Sequence, residues 1–365
     1  DLIVVSAAGK TTNRVIEFLD SLNTDGRLAH EALQSLRQFQ VQLVEDLLQG
    51  ESQQQLLATL NDEFSTLGEL TAPLTTDERA AVLGHGEVWS SRLLAALLNQ
   101  NDLQAVAQDA RAFLRAEAGT QPEIDRGTSY PLIKEVLAQH AHHRVVITGF
   151  MAQDEQGHTV LLGRNGSDYS ATVIGALAEV KRVTIWSDVA GVYSADPRLV
   201  SDACLLPLLR LDEASELARL AAPVLHSRTL QPVAQSAMDL QLRCSYEPED
   251  GSTRIERVLA SGRGAKIISS LKEVLLIQLN FASGHDFSRL EQETLAGLKR
   301  AQLEPLTYEA QEDQQTLRLA YTAEIAGGAL EYLQDAAIEA EIKLKEGYSL
   351  IAAVGAGVTK NANHC

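Results

Sequence analysis

Leu161-Leu162-Gly163-Arg164-Asn165-Gly166-Ser167-Asp168-Tyr169-Ser170-Ala171-Thr172 runs from a strand through a glycine turn into a helix, whose apolar period continues at Ile174, Leu177 and Ala178. A turn of this kind aims backbone amides outward at a helix N-terminus. Arg164 beside them adds a guanidinium with bidentate geometry, so the stretch reads as a site for a carboxylate or phosphate. Ser167 or Asp168 could equally do no more than cap the first turn of the helix, and that alternative stays open.

Working outward, short apolar strands alternate with helical stretches from Asp1 to about Tyr246, the pattern of a mainly parallel sheet covered on both faces. Strands are expected at Leu2 to Ser6, Arg144 to Phe150, Val183 to Trp186 and Leu240 to Tyr246, with Thr159 to Leu162 as a hairpin arm after the Gln156-Gly157 turn. Residues 27 to about 118 read as helices broken at Thr71-Ala72-Pro73, a solvated insertion packed outside the sheet. Past Arg254 the order becomes βαββαβ. Strands are expected at Ala265 to Ile268, Val274 to Leu279, Leu317 to Tyr321 and Ser349 to Val354, and helices at Phe287 to Ala301 and Gly327 to Ala336. Such a unit forms a small antiparallel sheet with helices on one face, and Ser261-Gly262-Arg263-Gly264 reads as the linker before it. The expected domains are therefore 1–260 and 261–365.

Three further segments carry candidate chemistry. Trp186-Ser187-Asp188-Val189-Ala190-Gly191-Val192-Tyr193-Ser194-Ala195-Asp196-Pro197-Arg198 is polar and turn-forming at the carboxyl end of a strand, where open α/β sheets bind ligands. Asp196-Pro197-Arg198 alone is an ordinary turn; with Asp188 and Tyr193 it reads as a nucleotide-facing loop. Val4-Val5-Ser6-Ala7-Ala8-Gly9-Lys10-Thr11-Thr12-Asn13 runs from strand to small residues to helix, allowing close backbone approach to a ligand. Its Gly9-Lys10-Thr11 is not a P-loop, because the first glycine of that motif would fall at Val4. Gly84-His85-Gly86-Glu87 leads into a helix, where Glu87 on its own complements the helix dipole and His85 is structural or solvent-facing.

Composition bounds the class. Of 365 residues, 45% are hydrophobic and 22% charged, and 49 acids against 31 bases give a net charge of -18, which disfavours a nucleic-acid partner. Cys204, Cys244 and Cys365 are an odd count at wide spacing and fit neither a disulfide framework nor a zinc site, so no metal ligands are assigned and the reducing cytoplasm is the expected compartment. No apolar stretch approaches a membrane span and no export signal opens the chain. Asp1 opens directly on a buried-strand pattern and Cys365 closes soon after another, so both ends read as those of a fragment.

Together and in order, these segments resemble the aspartate kinases of the amino-acid kinase family across nearly all of residues 1 to 260. Arg164 to Ala171, Asp212 to Leu225 and Leu350 to Thr359 are similar to the type II bifunctional aspartokinase/homoserine dehydrogenases. The resemblance implies an α/β amino-acid kinase fold, a mainly parallel sheet with helices on both faces, plus a C-terminal α+β ACT-like regulatory region that is incomplete here. It implies transfer of the γ-phosphoryl of ATP, with Mg²⁺, to the β-carboxylate of L-aspartate, the first step toward lysine, threonine and methionine. NADP is expected only for a dehydrogenase module beyond Cys365, and ACT pairing implies a homodimer or higher homo-oligomer.

Residue by residue, the resemblance implies that Glu87, Arg164 and Ser167 hold aspartate, with Arg164 on its α-carboxylate, while Ser6 and Thr12 line the same pocket. Asp168 orients the catalytic lysine, and Ser187, Asp188, Tyr193, Asp196 and Arg198 surround the nucleotide. Two departures stand out. The family's Lys-Phe-Gly-Gly-Ser segment, which bears that lysine, is expected upstream of Asp1, and Pro223 stands where many relatives have a nucleotide-contacting lysine. Carbamate, acetylglutamate and uridylate kinases share the sheet, but the helical insertion and βαββαβ tail favour aspartate kinase. An amino-acid-binding regulatory module without kinase activity is the alternative from another class.

Overall fold

A computed structural model describes residues 1–119, 121–220, 225–257, 264–282, 286–336, 338–356 and 358. The expected linker at 261–263, the boundary at 260, Pro223 and Cys365 lie outside the described residues. The chain divides into two compact units, Asp1–Ile185 with Arg228–Leu240, and Trp186–Ser227 with Gln241–Cys365.

The first unit is organised by a three-stranded parallel sheet in the order Leu2–Val5, Arg144–Thr148, Ala105–Gln108. Val145, Val146 and Ile147 of the central strand are all buried, because helices cover both faces and an alternating pattern would put polar groups into one core. On one face Val145 and Ile147 pack with Ile133, Val173, Ile174 and Leu177 from the helices Arg126–Gln139 and Gly166–Leu177. On the other, Val146 packs with Ala95 of the helix His85–Gln100.

The helical insertion has a core of its own. Thr11–Leu22, Gly26–Leu47, Gly50–Gly68, Thr76–Leu83 and His85–Gln100 bury Val15, Phe18, Leu19, Leu36, Phe64 and Trp89 together. Asp25 caps the second helix by accepting from the Arg27 N–H, and Thr75 and Glu78 form a reciprocal capping box on the fourth. The helical reading of 27 to 118 is corrected at Ala105–Gln108, which is a strand: four residues of weak propensity become one by pairing with Arg144–Thr148. The expected Arg144 to Phe150 strand also ends early, at Thr148. Phe150 takes φ +66°, and Met151–Gln153 then forms the hairpin with Thr159–Leu161.

The second unit holds a sheet in the order Arg182–Ser187, Asp239–Cys244, Ser252–Glu256, Leu208–Arg210, whose first two strands enter from the first unit. The short strands Leu208–Arg210 and Ser252–Glu256 pair in parallel and were not visible in the apolar pattern. Beyond them lies the βαββαβ region, an antiparallel sheet in the order Thr307–Gln311, Thr316–Thr322, Ile267–Phe281, Ala340–Val354. Helices Phe287–Arg300 and Ala323–Asp335 cover one face, where Ile277, Leu279, Leu317, Leu319 and Tyr321 meet Leu298, Ala329 and Leu333. The two strands expected at 265–268 and 274–279 are one strand, whose register shifts after Leu271, where Glu273 takes φ +58°. Among the described residues no helix is long and apolar enough to cross a membrane.

Candidate active site

The loop after Leu2–Val5 and the helix His85–Gln100 are locked together. The Ala7 N–H donates to Glu87 Oε1 at 3.2 Å, and the Ala8 N–H donates to Ser90 Oγ at 2.9 Å. Gly86 permits this approach, since a Cβ there would lie 2.6 Å from Ala7 Cβ. Thr11 Oγ1 closes the turn on the Ala8 carbonyl and accepts from buried Gln40.

The Gly163–Asn165 turn is built against the loop after Arg144–Thr148. Gly163 and Asn165 both have left-handed φ, +75° and +55°, and the Asn165 side chain makes no capping bond to the helix it precedes. Gly149 lets that helix start close by: a Cβ there would lie 2.7 Å from Ser167 Cβ. The Phe150 N–H donates to buried Ser170 Oγ, and the Leu162 N–H donates to the Phe150 carbonyl.

Ser6, Thr12, Glu87, Arg164, Ser167 and Asp168 line one cleft of about 390 Å³, with Ala7, Phe150 and Gly163 between them. Ser6 and Arg164 are exposed at its mouth, and Thr12, Ser167 and Asp168 are half-buried. Glu87 is 3% exposed, and its Oε2 is buried without a hydrogen-bond partner. Burial pushes the Glu87 carboxyl up to about 7, against the pull of the Ala7 N–H. Burial also raises Asp168. A cation recognised between these acids and an anion held by Arg164 is what the cleft can take. Reading Glu87 only as a dipole-complementing residue misses its burial, which depends on a loop eighty residues away.

The remaining candidates belong to the second unit. Ser187 Oγ accepts from the Val189 N–H at 3.2 Å, and Asp188 is exposed. Tyr193 bridges Leu205, and the Val192 N–H donates to Thr253 Oγ1, which donates onward to the Leu206 carbonyl, so the loop is pinned at its base. Arg198 is held by Asp196 through its backbone N–H, Nε and Nη2, and these bonds keep the Asp196 carboxyl below its ordinary range. His85 is half-buried, with Nδ1 facing the Ala81 and Val82 carbonyls and its ring against Trp89, a structural placement. A groove between the Gly26–Leu47 and Gly50–Gly68 helices is larger, but it is lined by Gln34, Arg37 and Asn61 and gathers none of these candidates. Pattern reasoning missed Ser90 and Phe150 as builders of the cleft, whereas Ala7 stands in the small-residue run read as allowing close backbone approach.

Residues 1–244 match the amino acid kinase family. The chain is 56% identical over 366 residues to bifunctional aspartokinase/homoserine dehydrogenase 2 of Escherichia coli (strain K12), covering all of this chain and 45% of that protein. It is 32% identical over 260 residues to lysine-sensitive aspartokinase 3 of the same organism, covering 70% of this chain and 57% of that one. It thus spans about half the length of these curated relatives. The crystal structure of E. coli aspartokinase III in complex with aspartate and ADP superposes with a TM-score of 0.81 at 24% identity, over 98% of this chain and 81% of that one. At that identity the likeness is one of fold. It extends to the C-terminal α+β region.

Proposed function

The chain belongs to the amino acid kinase family, and we propose that it is the aspartate kinase part of a longer bifunctional aspartokinase/homoserine dehydrogenase. The observation that carries this reading is the convergence of Glu87, Arg164, Ser167 and Asp168 on one cleft. Aspartate offers an α-carboxylate for the Arg164 fork, an α-ammonium for the orphaned Oε2 of Glu87, and a side-chain carboxylate left over to react. In the reaction a carboxylate oxygen forms a bond to the γ-phosphorus of ATP, the bond from that phosphorus to the β,γ-bridging oxygen breaks, and ADP leaves with the electron pair. No proton has to move, so the protein's work is positioning and charge neutralisation.

Ser187, Asp188, Tyr193, Asp196 and Arg198 are the residues proposed for the nucleotide. Mg²⁺ would arrive on its phosphates; among the described residues no group of three or more His, Cys, Asp or Glu could hold an ion unaided. The domain division at residue 260, a cytoplasmic location, pairing through the ACT-like region, and NADP use by a dehydrogenase module belong to the same proposal.

The test is to incubate the natural full-length polypeptide with ATP, Mg²⁺ and aspartate, and to trap the acyl phosphate with hydroxylamine. Hydroxamate that depends on aspartate and is not formed with glutamate is expected. Aspartate binding with no hydroxamate would overturn the kinase reading in favour of an amino-acid-binding regulatory module.

A further inference from the structure

Arg228 has no part in the site so far, yet it meets the chain at the point from which Arg164 is presented. Its Nη1 donates to the Leu162 carbonyl at 2.6 Å, and its Nη2 donates to the Pro122 carbonyl. Its guanidinium lies over the Tyr169 ring, 4.4 Å from the centroid. Tyr169 is buried, and its hydroxyl accepts from the Ile124 N–H at 3.1 Å. The contacts close a ring: Arg228 to Leu162, through the turn to Tyr169, across to Ile124, and back through Pro122 to Arg228.

We infer that Arg228 is a positioning residue for the anion-binding turn, setting where Arg164 stands in the cleft. The inference rests on the aspartate reading of that cleft. The turn Gly163–Asn165 belongs to no strand or helix, and two of its three residues sit in the left-handed region. Its direction therefore depends on how the peptide before it is held. Both backbone groups of Leu162 are fixed, the N–H by the Phe150 carbonyl at 2.8 Å and the carbonyl by Arg228. With Leu162 clamped, the Leu162–Gly163 peptide plane is set, and only Gly163 lies between it and Arg164.

An arginine is needed for this. Its planar fork can serve carbonyls of two segments while stacking on an aromatic face; lysine, a point donor, reaches one and stacks less well. Arg228 is not among the residues that line the cleft. Its effect is felt through the placement of another side chain, and displacements of about 1 Å are enough to cost about 100-fold in such sites.

The test compares Arg228→Met, Arg228→Lys and Arg164→Ala in the natural full-length polypeptide, with KM for aspartate, KM for ATP, kcat and Tm measured for each. Arg228→Met should raise KM for aspartate about 10- to 100-fold, with KM for ATP and kcat changed less than about twofold. Arg228→Lys should fall between it and the parent. A purely structural role would lower Tm and the active fraction, hence kcat, without moving KM for aspartate, and that result overturns the inference. If Arg228→Met does not fold, an unchanged KM for aspartate in Arg228→Lys overturns it too. Should Arg164→Ala raise that KM while the Arg228 variants do not, the positioning role alone fails. If none of the three moves it, the aspartate reading fails as well.

Discussion

Glu87 and Ala7 are joined by a single hydrogen bond, Ala7 N–H to Oε1 at 3.2 Å, while Oε2 of the same buried carboxylate has no partner. A carboxyl so placed resists ionisation, and burial moves it up to about 7 from 4.5. Between those two values the folded chain keeps a proton that the unfolded chain has released, so stability falls as pH rises through the window. Glu87→Gln removes the effect. Above pH 7.5 the variant should be more stable than the parent by up to about 3 kcal/mol, at about 1.4 kcal/mol per pH unit. Thermal melts of both from pH 4 to 8 check this, and parallel curves would refute it.

The same carboxyl predicts a pH limb in substrate use. An α-ammonium is attracted only by ionised Glu87, so kcat/KM for aspartate should rise tenfold per pH unit below about 7 and level off above it. In Glu87→Gln the limb should vanish along with most of the affinity. A flat parent profile between pH 5.5 and 8 would show that Glu87 does not meet the ammonium.

Arg164→Ala removes the charge proposed to receive the α-carboxylate. Charge-assisted bonds of this kind contribute about 1.5–3 kcal/mol, so KM for aspartate should rise about 10- to 100-fold while KM for ATP stays within about twofold. Initial rates with each substrate varied in turn separate the two. An unchanged KM for aspartate would remove Arg164 from the pocket.

Asp168 lines the cleft beside Ser167, half-buried and with its carboxyl raised by burial. Its proposed task is to orient the cation that neutralises the transferring phosphoryl group, a task felt mainly in the transition state. Asp168→Asn keeps the shape and should lower kcat about 100-fold with KM for aspartate little changed. Full turnover in that variant would exclude the role.

Much of this was legible in the sequence, for physical reasons. Leu161 to Leu177 shows a strand, a turn and a helix because each has its own period and the turn carries two glycines. The βαββαβ tail was readable in part: its first strand, expected as two, is continuous through a bulge, and the exposed edge strand Thr307–Gln311 was not among the expected strands. Ala105–Gln108 was not, because Ala-Val-Ala-Gln becomes a strand only through its neighbour Arg144–Thr148. The six cleft residues were identified by resemblance, but the orphaned oxygen of Glu87 is a property of packing that no spacing announces. Likewise Asp196 and Arg198 read as two separate ligands, whereas two residues of separation let them pair with each other in a turn.

Glu213 yields a last prediction, one about stability. It is 3% exposed, yet it faces Lys266 Nζ at 2.8 Å from Oε1, accepts from the Ala356 N–H at 3.0 Å, and accepts through Oε2 from the Arg210 N–H at 3.1 Å. One carboxylate thus ties the helix Leu211–Arg219 to both strands of the pair Ile267–Phe281 and Ala340–Val354 at the end where Ile267 faces Val354. Such a pair adds little over a well-packed apolar substitute, but removing one partner leaves the other charge buried. Lys266→Met should therefore cost about 3 kcal/mol, somewhat less than a fully sealed pair because the lysine keeps some solvent contact. Adding Glu213→Gln should recover part of that loss, since the amide removes the buried charge and its one oxygen still accepts from one of the two backbone N–H groups. Chemical denaturation of the parent, both single variants and the double variant measures the coupling between them. Additive losses would mean that the two side chains do not meet as described.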